Sequence, residues 1–466
     1  MDIDAAREKE RELLREIKAA RPDLVPSMAW EDSPEFMRTF GIAIPGASSL
    51  PRAYLKLFPS DFIVEEVRPD GTVLTISAES DELPPEEPGR HVRATLVKCG
   101  LGTMEAIEAV AAAVRTDPSR IQFAGLKDRD AMTAQDIIIL DADADLVRAA
   151  REGAGWFLKD IRASKAGLAK GSLSGNRFSL FMRTYEGDEA ALPALMRQVE
   201  HVREHGFLNY YYLQRFGTPR LVNYAWGLSI VMGDYKGAVE SVLFDPGLRE
   251  LPYFRALREE ARSVWPDAAA VKDRFSDFPL ALRHEHAILA ALMERPGDYA
   301  GALRAVEEQV VLWVYAFSSL IFNEHIAHAV EQGSAIPATL PLVLSPDRRD
   351  QGVYEAELRA LGCFPLPHKN LERFRGIYLK HREVATRDRA RIEAIEAEPE
   401  GVCLRFRLGK GEYATTFLAH LFTLVGGEPA DRIRRGIKDT DAVLGGAGNN
   451  ETLRYFAGEN VGKGEE

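Results

Sequence analysis

The sequence predicts an α+β fold, with a sheet-and-helix domain built from both ends of the chain and a mainly helical domain inserted into it. Three observations predict this. Short β-rich runs and helical runs intermix up to about residue 205, without the strict strand–helix alternation of a parallel sheet. From about residue 206 the texture changes to long helical segments. Strand character then returns at Gly-Val-Cys-Leu-Arg-Phe-Arg-Leu-Gly, 401–409.

The opening stretch, 1–22, is charged and helical, with Leu13, Leu14 and Ile17 forming a narrow apolar stripe, and it does not read as a signal peptide. Residues 1–47 are expected to form an N-terminal extension that ends in the loop-like run 45–51. Strands are expected at 62–67, 73–79 and 91–97, with the acidic, proline-rich segment 81–90 looping between the last two. The run 104–115 carries apolar residues at helical spacing, with Thr103 as the expected N-cap. Strands follow near 121–125 and at 136–140, then a short helix near 143–152. Runs 156–164 and 177–185 read as strands and 191–206 as a helix. In the helical region, 280–295 is amphipathic, and 302–332 is apolar enough to be buried on most faces. After the strand at 401–409 a helix is expected over 414–425, and the glycine-rich stretch from 445 is expected to be poorly ordered.

Bulk properties limit the function classes. The chain has 466 residues, with 59 Lys and Arg against 71 Asp and Glu, for a net charge of −12. That charge argues against a nonspecific nucleic-acid binder, which is usually basic. A specific RNA enzyme needs only a local positive surface. Two basic stretches, Lys159–Arg183 and Lys369–Arg391, are candidates for it. No run approaches the roughly 20 apolar residues of a membrane span. The three cysteines, Cys99, Cys363 and Cys403, are far apart and lack zinc-ligand spacing. A reducing, cytoplasmic compartment is expected.

The most informative stretch is Phe-Ala-Gly-Leu-Lys-Asp-Arg-Asp-Ala-Met-Thr-Ala-Gln, 123–135. A strand rises to Gly125, expected to permit a tight turn or close backbone approach, and a charged turn of Lys127, Asp128, Arg129 and Asp130 follows. Asp128 is either a reactive carboxylate or a surface turn residue capped by Thr133.

This stretch resembles the signature of the TruD family of pseudouridine synthases, A-G-x-K-D followed by A-x-T-x-Q. Four further segments resemble the family's in the same order: 56–66, with Pro59, Asp61, Phe62, Val64 and Glu66 in matching places; 171–183, with Gly175, Asn176 and Phe178; 209–217, with Gln214 and Arg215; and 411–415, with Tyr413 before Ala-Thr. A weaker match lies at 318–324. Two departures stand out. The family usually has Phe-Gly where this chain has Tyr211-Tyr212, and bacterial members often have Phe at the place of Tyr413.

The resemblance implies a pseudouridine synthase catalytic domain with a mixed, largely antiparallel sheet over 48–205 and 389–450. It implies an inserted, mainly helical TRUD domain over 206–388, with 451–466 as a tail. It implies isomerisation of a uridine in tRNA, by precedent uridine 13, to pseudouridine. It implies that Asp128 is the reactive carboxylate, a nucleophile that attacks C1′ or, in the competing scheme, a base that removes the C2′ proton. No metal or organic cofactor is needed, and no protein partner is evident. An aspartate is ionised at neutral pH unless strongly desolvated, its ordinary pKa being about 3.9. Phe62 and Tyr413 are implied to stack on the flipped nucleotide, and Asn176 to hydrogen-bond substrate with Phe178 nearby. Lys127 and Glu66 are candidates for support, and Gln214 and Arg215 for fixing the domain junction. The cation facing Asp128 is left open between Lys127, Arg129 and a more distant basic residue. The alternatives are another structured RNA as substrate, a noncatalytic RNA-binding relative, or a carboxylate hydrolase using Asp128 and Asp130 with a metal.

Overall fold

The computed structural model describes residues 3–463 apart from 86, 186–187, 430–432 and 434–435. The chain divides into two compact units. One comprises Met1–Ser27, Pro34–Pro45 and Leu208–Arg387; the other comprises Met28–Ser33, Gly46–Phe207 and Asp388–Glu466. The leading 47 residues, expected as a separate extension, are thus shared between the two. Helix Ile3–Ala20 belongs to the first unit, and a short strand, Ala29–Glu31, joins the sheet of the second.

The first unit is mainly helical. Its longest element is Glu307–Glu331, which buries Trp313, Val314, Phe317, Ile321 and Phe322 along its middle. By length and composition this helix meets the requirements of a membrane span, a match the sequence reading missed, although 67% of its most apolar window is buried by the rest of the protein. Asn323 on it is fully buried. Its amide donates to the carbonyls of Phe40 (3.0 Å) and Tyr211 (2.8 Å), and its oxygen accepts from the Tyr211 N–H (2.9 Å). The Tyr211 backbone is therefore clasped by a side chain from the weakly matching 318–324 run.

The second unit is built on a twelve-stranded sheet. Its strands are β1 (Ala29–Glu31), β2 (Arg52–Tyr54), β3 (Phe62–Val67), β4 (His91–Cys99), β5 (Ile121–Phe123), β6 (Met132–Ile139), β7 (Glu152–Gly153), β8 (Trp156–Ser164), β9 (Gly175–Thr184), β10 (Arg391–Glu398), β11 (Gly401–Gly409) and β12 (Thr423–Gly427). The main order is β1-β12-β2-β9-β3-β6-β4-β8-β7, with β5 beside β6 and the β10–β11 hairpin on β9. Among the described residues, only β12–β2 and β3–β6 of this sheet are parallel, so it is mixed and largely antiparallel.

Alternation along the strands gives the sheet two apolar faces. On one, Ala94, Leu96, Ile137 and Ile139 pack with Ala106, Ile107 and Val110 of helix Thr103–Ala113. On the other, Ile63, Val97, Cys99, Met132 and Ala134 pack with Phe157 and Phe456. β9 lies between β3 and β11 and carries the next layer of pairing. Gly175 is required there, because a Cβ would meet the Leu408 carbonyl at 2.1 Å.

Several elements differ from expectation. The strand expected at 73–79 is only an isolated bridge, Val73 to Val67, although Leu74 and Ile76 are buried. The helix expected over 414–425 stops at Ala419, and its β-branched and aromatic end turns into β12. β10 was not anticipated, since its charged residues hide an exposed edge strand. The stretch expected to be poorly ordered contains helix Asn450–Tyr455, and Phe456 enters the core.

Candidate active site

Register brings the expected residues of β3, β6 and β9 together. Glu66 lies opposite Asn176, Val64 opposite Phe178, and Thr133 of β6 beside Val64. With a side-chain period of two, Phe62, Glu66, Thr133, Gln135, Asn176 and Phe178 share one face of the sheet. Asp128 stands above it, in the turn between β5 and β6.

The side chains of Thr103, Gln135, Glu105 and Lys98 pin that turn. The hydroxyl of Thr103 accepts from the Lys127 N–H (2.8 Å) and donates to Gln135 Oε1 (3.1 Å). Gln135 Nε2 donates to the Gly125 carbonyl (3.2 Å). Arg129 pairs with Glu105. The fully buried Lys98 donates from Nζ to the carbonyls of Asp128 and Leu101, both at 2.7 Å. Burial pulls the Lys98 pKa down to about 8, against the opposing pull of the Asp128 charge. Thr103 is therefore the first residue of its helix, behind Gly102, rather than the expected cap, and its hydroxyl serves the turn. The expected steric need for Gly125 is also absent, because a Cβ there would make only ordinary contacts, at 3.7 and 3.9 Å.

The open question of the cation resolves to Lys56. Its Nζ lies 2.5 Å from Asp128 Oδ2 and 3.9 Å from the centre of the Phe62 ring. The Asp128 side chain is 60% exposed and that of Lys56 18%. Lys56 has φ +62, a left-handed conformation that costs a non-glycine residue of order 1 kcal/mol. Such strain at a charged residue fits a demand of the site. Lys127, the sequence neighbour of Asp128, points elsewhere and donates to Glu66 Oε2 at 2.8 Å with both side chains buried. Burial raises the pKa of Glu66, and Lys127 opposes that rise.

The stacking candidates separate. Phe62 is buried, with Phe178 edge-on at 6.0 Å; Phe178 in turn stacks on Phe406 at 5.0 Å and so backs Phe62 from inside the core. Tyr413 is half exposed at the start of helix Ala414–Ala419. Asn176 Oδ1 and Thr133 Oγ1 are buried without hydrogen-bond partners, the first a spare acceptor opposite Glu66 and the second both donor and acceptor beside Val64. Gln214 and Arg215 lie in the other unit, on the short turn Leu213–Phe216, with the Arg215 guanidinium 5.1 Å from the Tyr211 ring.

The first basic stretch is largely absorbed by the fold. Lys159 pairs with Asp81 (3.0 Å), Arg177 with Glu65 (2.6 Å) and Arg183 with Asp61 (2.7 Å), all buried or nearly so. Lys165 and Lys170 remain exposed. The second stretch keeps Lys369, Arg373, Arg375, Lys380, Arg382, Arg387, Arg389 and Arg391 exposed.

Residues 51–342 match the family model for tRNA pseudouridine synthase D, TruD. A relative from Methanocaldococcus jannaschii, named a probable tRNA pseudouridine synthase D 1, is 31% identical over 60% of this chain and 69% of its own length. The chain belongs to the TruD family. It is thereby classed with isomerases. A TruD relative from Methanococcus vannielii, a probable tRNA pseudouridine synthase D, is 28% identical over 78% of this chain and 93% of its own length. One from Methanosarcina mazei, of the same description, aligns over 59% of each chain at 28% identity. The fold also matches a crystal structure of a TruD protein from Methanosarcina mazei, with a TM-score of 0.68, 22% identity, and coverage of 83% of this chain and 97% of the other. The family region includes Lys56, Lys98 and Asp128 and ends well before Tyr413.

Sequence reasoning missed Lys56, Lys98 and Leu126. Lys56 was visible as the only basic residue of the 56–66 segment. Lys98 gave no signal beyond a charge inside an apolar strand. Leu126 is 71% exposed immediately before Lys127-Asp128, an apolar side chain at the open side of the turn.

Proposed function

We propose that the chain isomerises a uridine of tRNA to pseudouridine, that the target is uridine 13, and that Asp128 is the nucleophile. The observation that carries this reading is the exposed Asp128 carboxylate in contact with Lys56 beside Phe62. In the reaction the C1′–N1 bond breaks and a C1′–C5 bond forms. The C5 proton is lost to solvent and N1 regains one, so no oxidant or reductant is consumed. Attack at C1′ and removal of the C2′ proton both begin from a carboxylate that is open to the ribose and held in orientation. Lys56 supplies the orientation from the side, and Lys98 fixes the main chain beneath.

The target base has to leave its stack, which costs a few kcal/mol. Stacking on an aromatic ring returns about 1–3 kcal/mol. The half-exposed Tyr413 ring is suited to this, and Phe62 forms the wall behind Lys56. Asn176 offers an acceptor with no internal partner for the N–H of a uracil edge. The three cysteines are free and buried, which agrees with action in a reducing cytoplasm.

The test is pseudouridine mapping of tRNA incubated with the wild-type protein and with Asp128→Asn. The expected result is one new pseudouridine at position 13 with the wild type and none with the variant. Modification at a different position overturns the site assignment. Unmodified RNA of every class overturns the reaction.

A further inference from the structure

The segment that follows helix Asn450–Tyr455 lies outside the family-matched region, yet it is fastened to the loop that carries Lys56. Phe456 is fully buried and stacks on Phe157 at 5.6 Å. The buried Asn460 accepts from the Ser60 N–H (2.9 Å) and donates to the Ser60 hydroxyl (3.0 Å). The Lys463 N–H donates to the Leu57 carbonyl (2.9 Å). The last two contacts fall between Lys56, the partner of Asp128, and Phe62. The segment therefore runs as a strap along the loop that carries the catalytic cation.

At its far end the strap delivers a charge to the site. Lys463 Nζ lies 4.0 Å from Asp130 Oδ2, at the outer edge of ion-pair contact, and the Lys463 side chain is 42% exposed. Asp130 is two residues from Asp128. Burial lowers the pKa of Lys463, and so does Lys56, while Asp130 and Asp61 oppose them. The ammonium is thus partly desolvated, loosely neutralised and open on one side. This arrangement suits an incoming anion, and the strand that brings a ribose to Asp128 carries phosphates on both sides of it.

We propose that residues 456–463 form a strap that presents Lys463 to a backbone phosphate next to the target nucleotide. The proposal rests on the RNA-directed reading of the Asp128 site. Asn460 is a positioning residue here, acting through Ser60 and the strap, and Lys463 is a substrate-binding residue.

The test is a salt titration of binding to an unmodified tRNA transcript, using wild type, Lys463→Met, Lys463→Glu, Lys463→Arg and Asn460→Ala. One lost phosphate contact should lower the salt slope by about 0.7–0.9 and weaken affinity about fivefold to eightfold at 0.1 M salt. Lys463→Met is expected to show this loss, Lys463→Glu a larger one, and Lys463→Arg a recovery. Asn460→Ala should reproduce part of it, and Lys463→Met should add little in that background. KM should rise by more than kcat falls. A Lys463→Glu protein that binds with wild-type affinity and slope overturns the proposal. So does a weaker affinity with an unchanged slope, because the lost contact is then not a phosphate. Release of C5 label from the same tRNA is scored separately. If the wild type binds with a Lys463-dependent slope but releases no label, the reaction is wrong and the strap stands. If label is released and the Lys463 variants bind normally, the strap alone is wrong.

Discussion

Two lysines near Asp128 have opposite roles, and exchanging each for methionine separates them. Lys127 and Glu66 are a buried pair, with side-chain exposures of 4% and 1%. Lys127→Met leaves the Glu66 carboxyl inside the sheet without its cation. Breaking such a pair costs about 3–5 kcal/mol. Burial already raises the Glu66 pKa, so proton uptake relieves part of the cost and places the loss near about 3 kcal/mol. Lys56 faces an Asp128 that is mostly in solvent, and pairs of that kind contribute about 0–1 kcal/mol to stability. Its loss acts on geometry instead, and a displacement of about 1 Å at a reacting group costs on the order of 10²-fold in rate. The assays are urea unfolding followed by circular dichroism, and single-turnover release of tritium from tRNA labelled at uridine C5. Lys127→Met is expected to unfold at markedly lower urea and to retain most of its rate per folded molecule. Lys56→Met is expected to unfold with the wild type and to be roughly 10²-fold slower. A folded Lys127→Met as slow as Lys56→Met would refute the pairing, as would wild-type turnover by Lys56→Met.

Three other outcomes follow from the same geometry. Asp128→Asn keeps the main-chain bond from Lys98 and so keeps its fold, but it should lose activity by on the order of 10⁴-fold or more; wild-type turnover, with deamidation excluded by mass spectrometry, rules Asp128 out. Tyr413→Ala should lose the stacking worth of about 1–3 kcal/mol while Tyr413→Phe retains it; equal single-turnover rates for the Ala variant and the wild type remove that role. Lys98 titrates near 8 in the folded protein against its ordinary 10.5, so between those values the unfolded chain holds the proton and the folded one does not. Stability from this residue therefore rises with pH across that window and carries its full penalty below it. Relative to Lys98→Met, the wild type should gain up to about 3 kcal/mol between pH 8 and 10.5, and a flat difference in unfolding free energy contradicts the burial of a charged Lys98.

The sequence exposed what is local. The 123–135 stretch announces its turn through its own residues, and strands such as 62–67, 156–164 and 177–185 show β-rich runs bounded by turn signals. What stayed hidden depends on partners distant in the chain. Lys56 and Asp128 are 72 positions apart, and nothing near Asp128 indicates that its two neighbouring cations are committed to Glu66 and Glu105. The basic stretch 159–183 misled for the same reason. Its acids lie in other segments, at Asp61, Glu65 and Asp81, so a window of sequence counts the cations and misses their partners. The run 414–425 carried one apolar pattern through two elements, and only pairing with β1 and β2 makes its end a strand. Asn460 and Lys463 sit in a glycine-rich context whose composition resembles a loose end, while their order comes from Ser60 and Leu57.

The position of β11 sets a condition on how the protein is made. One edge of β9 is filled early by β2 and β3, but the other waits for β11, which is encoded more than 200 residues later. At about 5–20 residues per second a ribosome needs on the order of 10–40 s to cover that distance. Throughout that interval the nascent chain carries an open β9 edge bearing Phe178, Leu180 and Met182, the kind of edge that recruits a second chain. Production of the protein should therefore respond to the speed of translation and to the supply of ribosome-associated chaperones more than its final stability suggests. Slowing elongation downstream of residue 184 should lower the soluble yield, and supplying residues 388–466 in trans as a separate peptide should restore part of it.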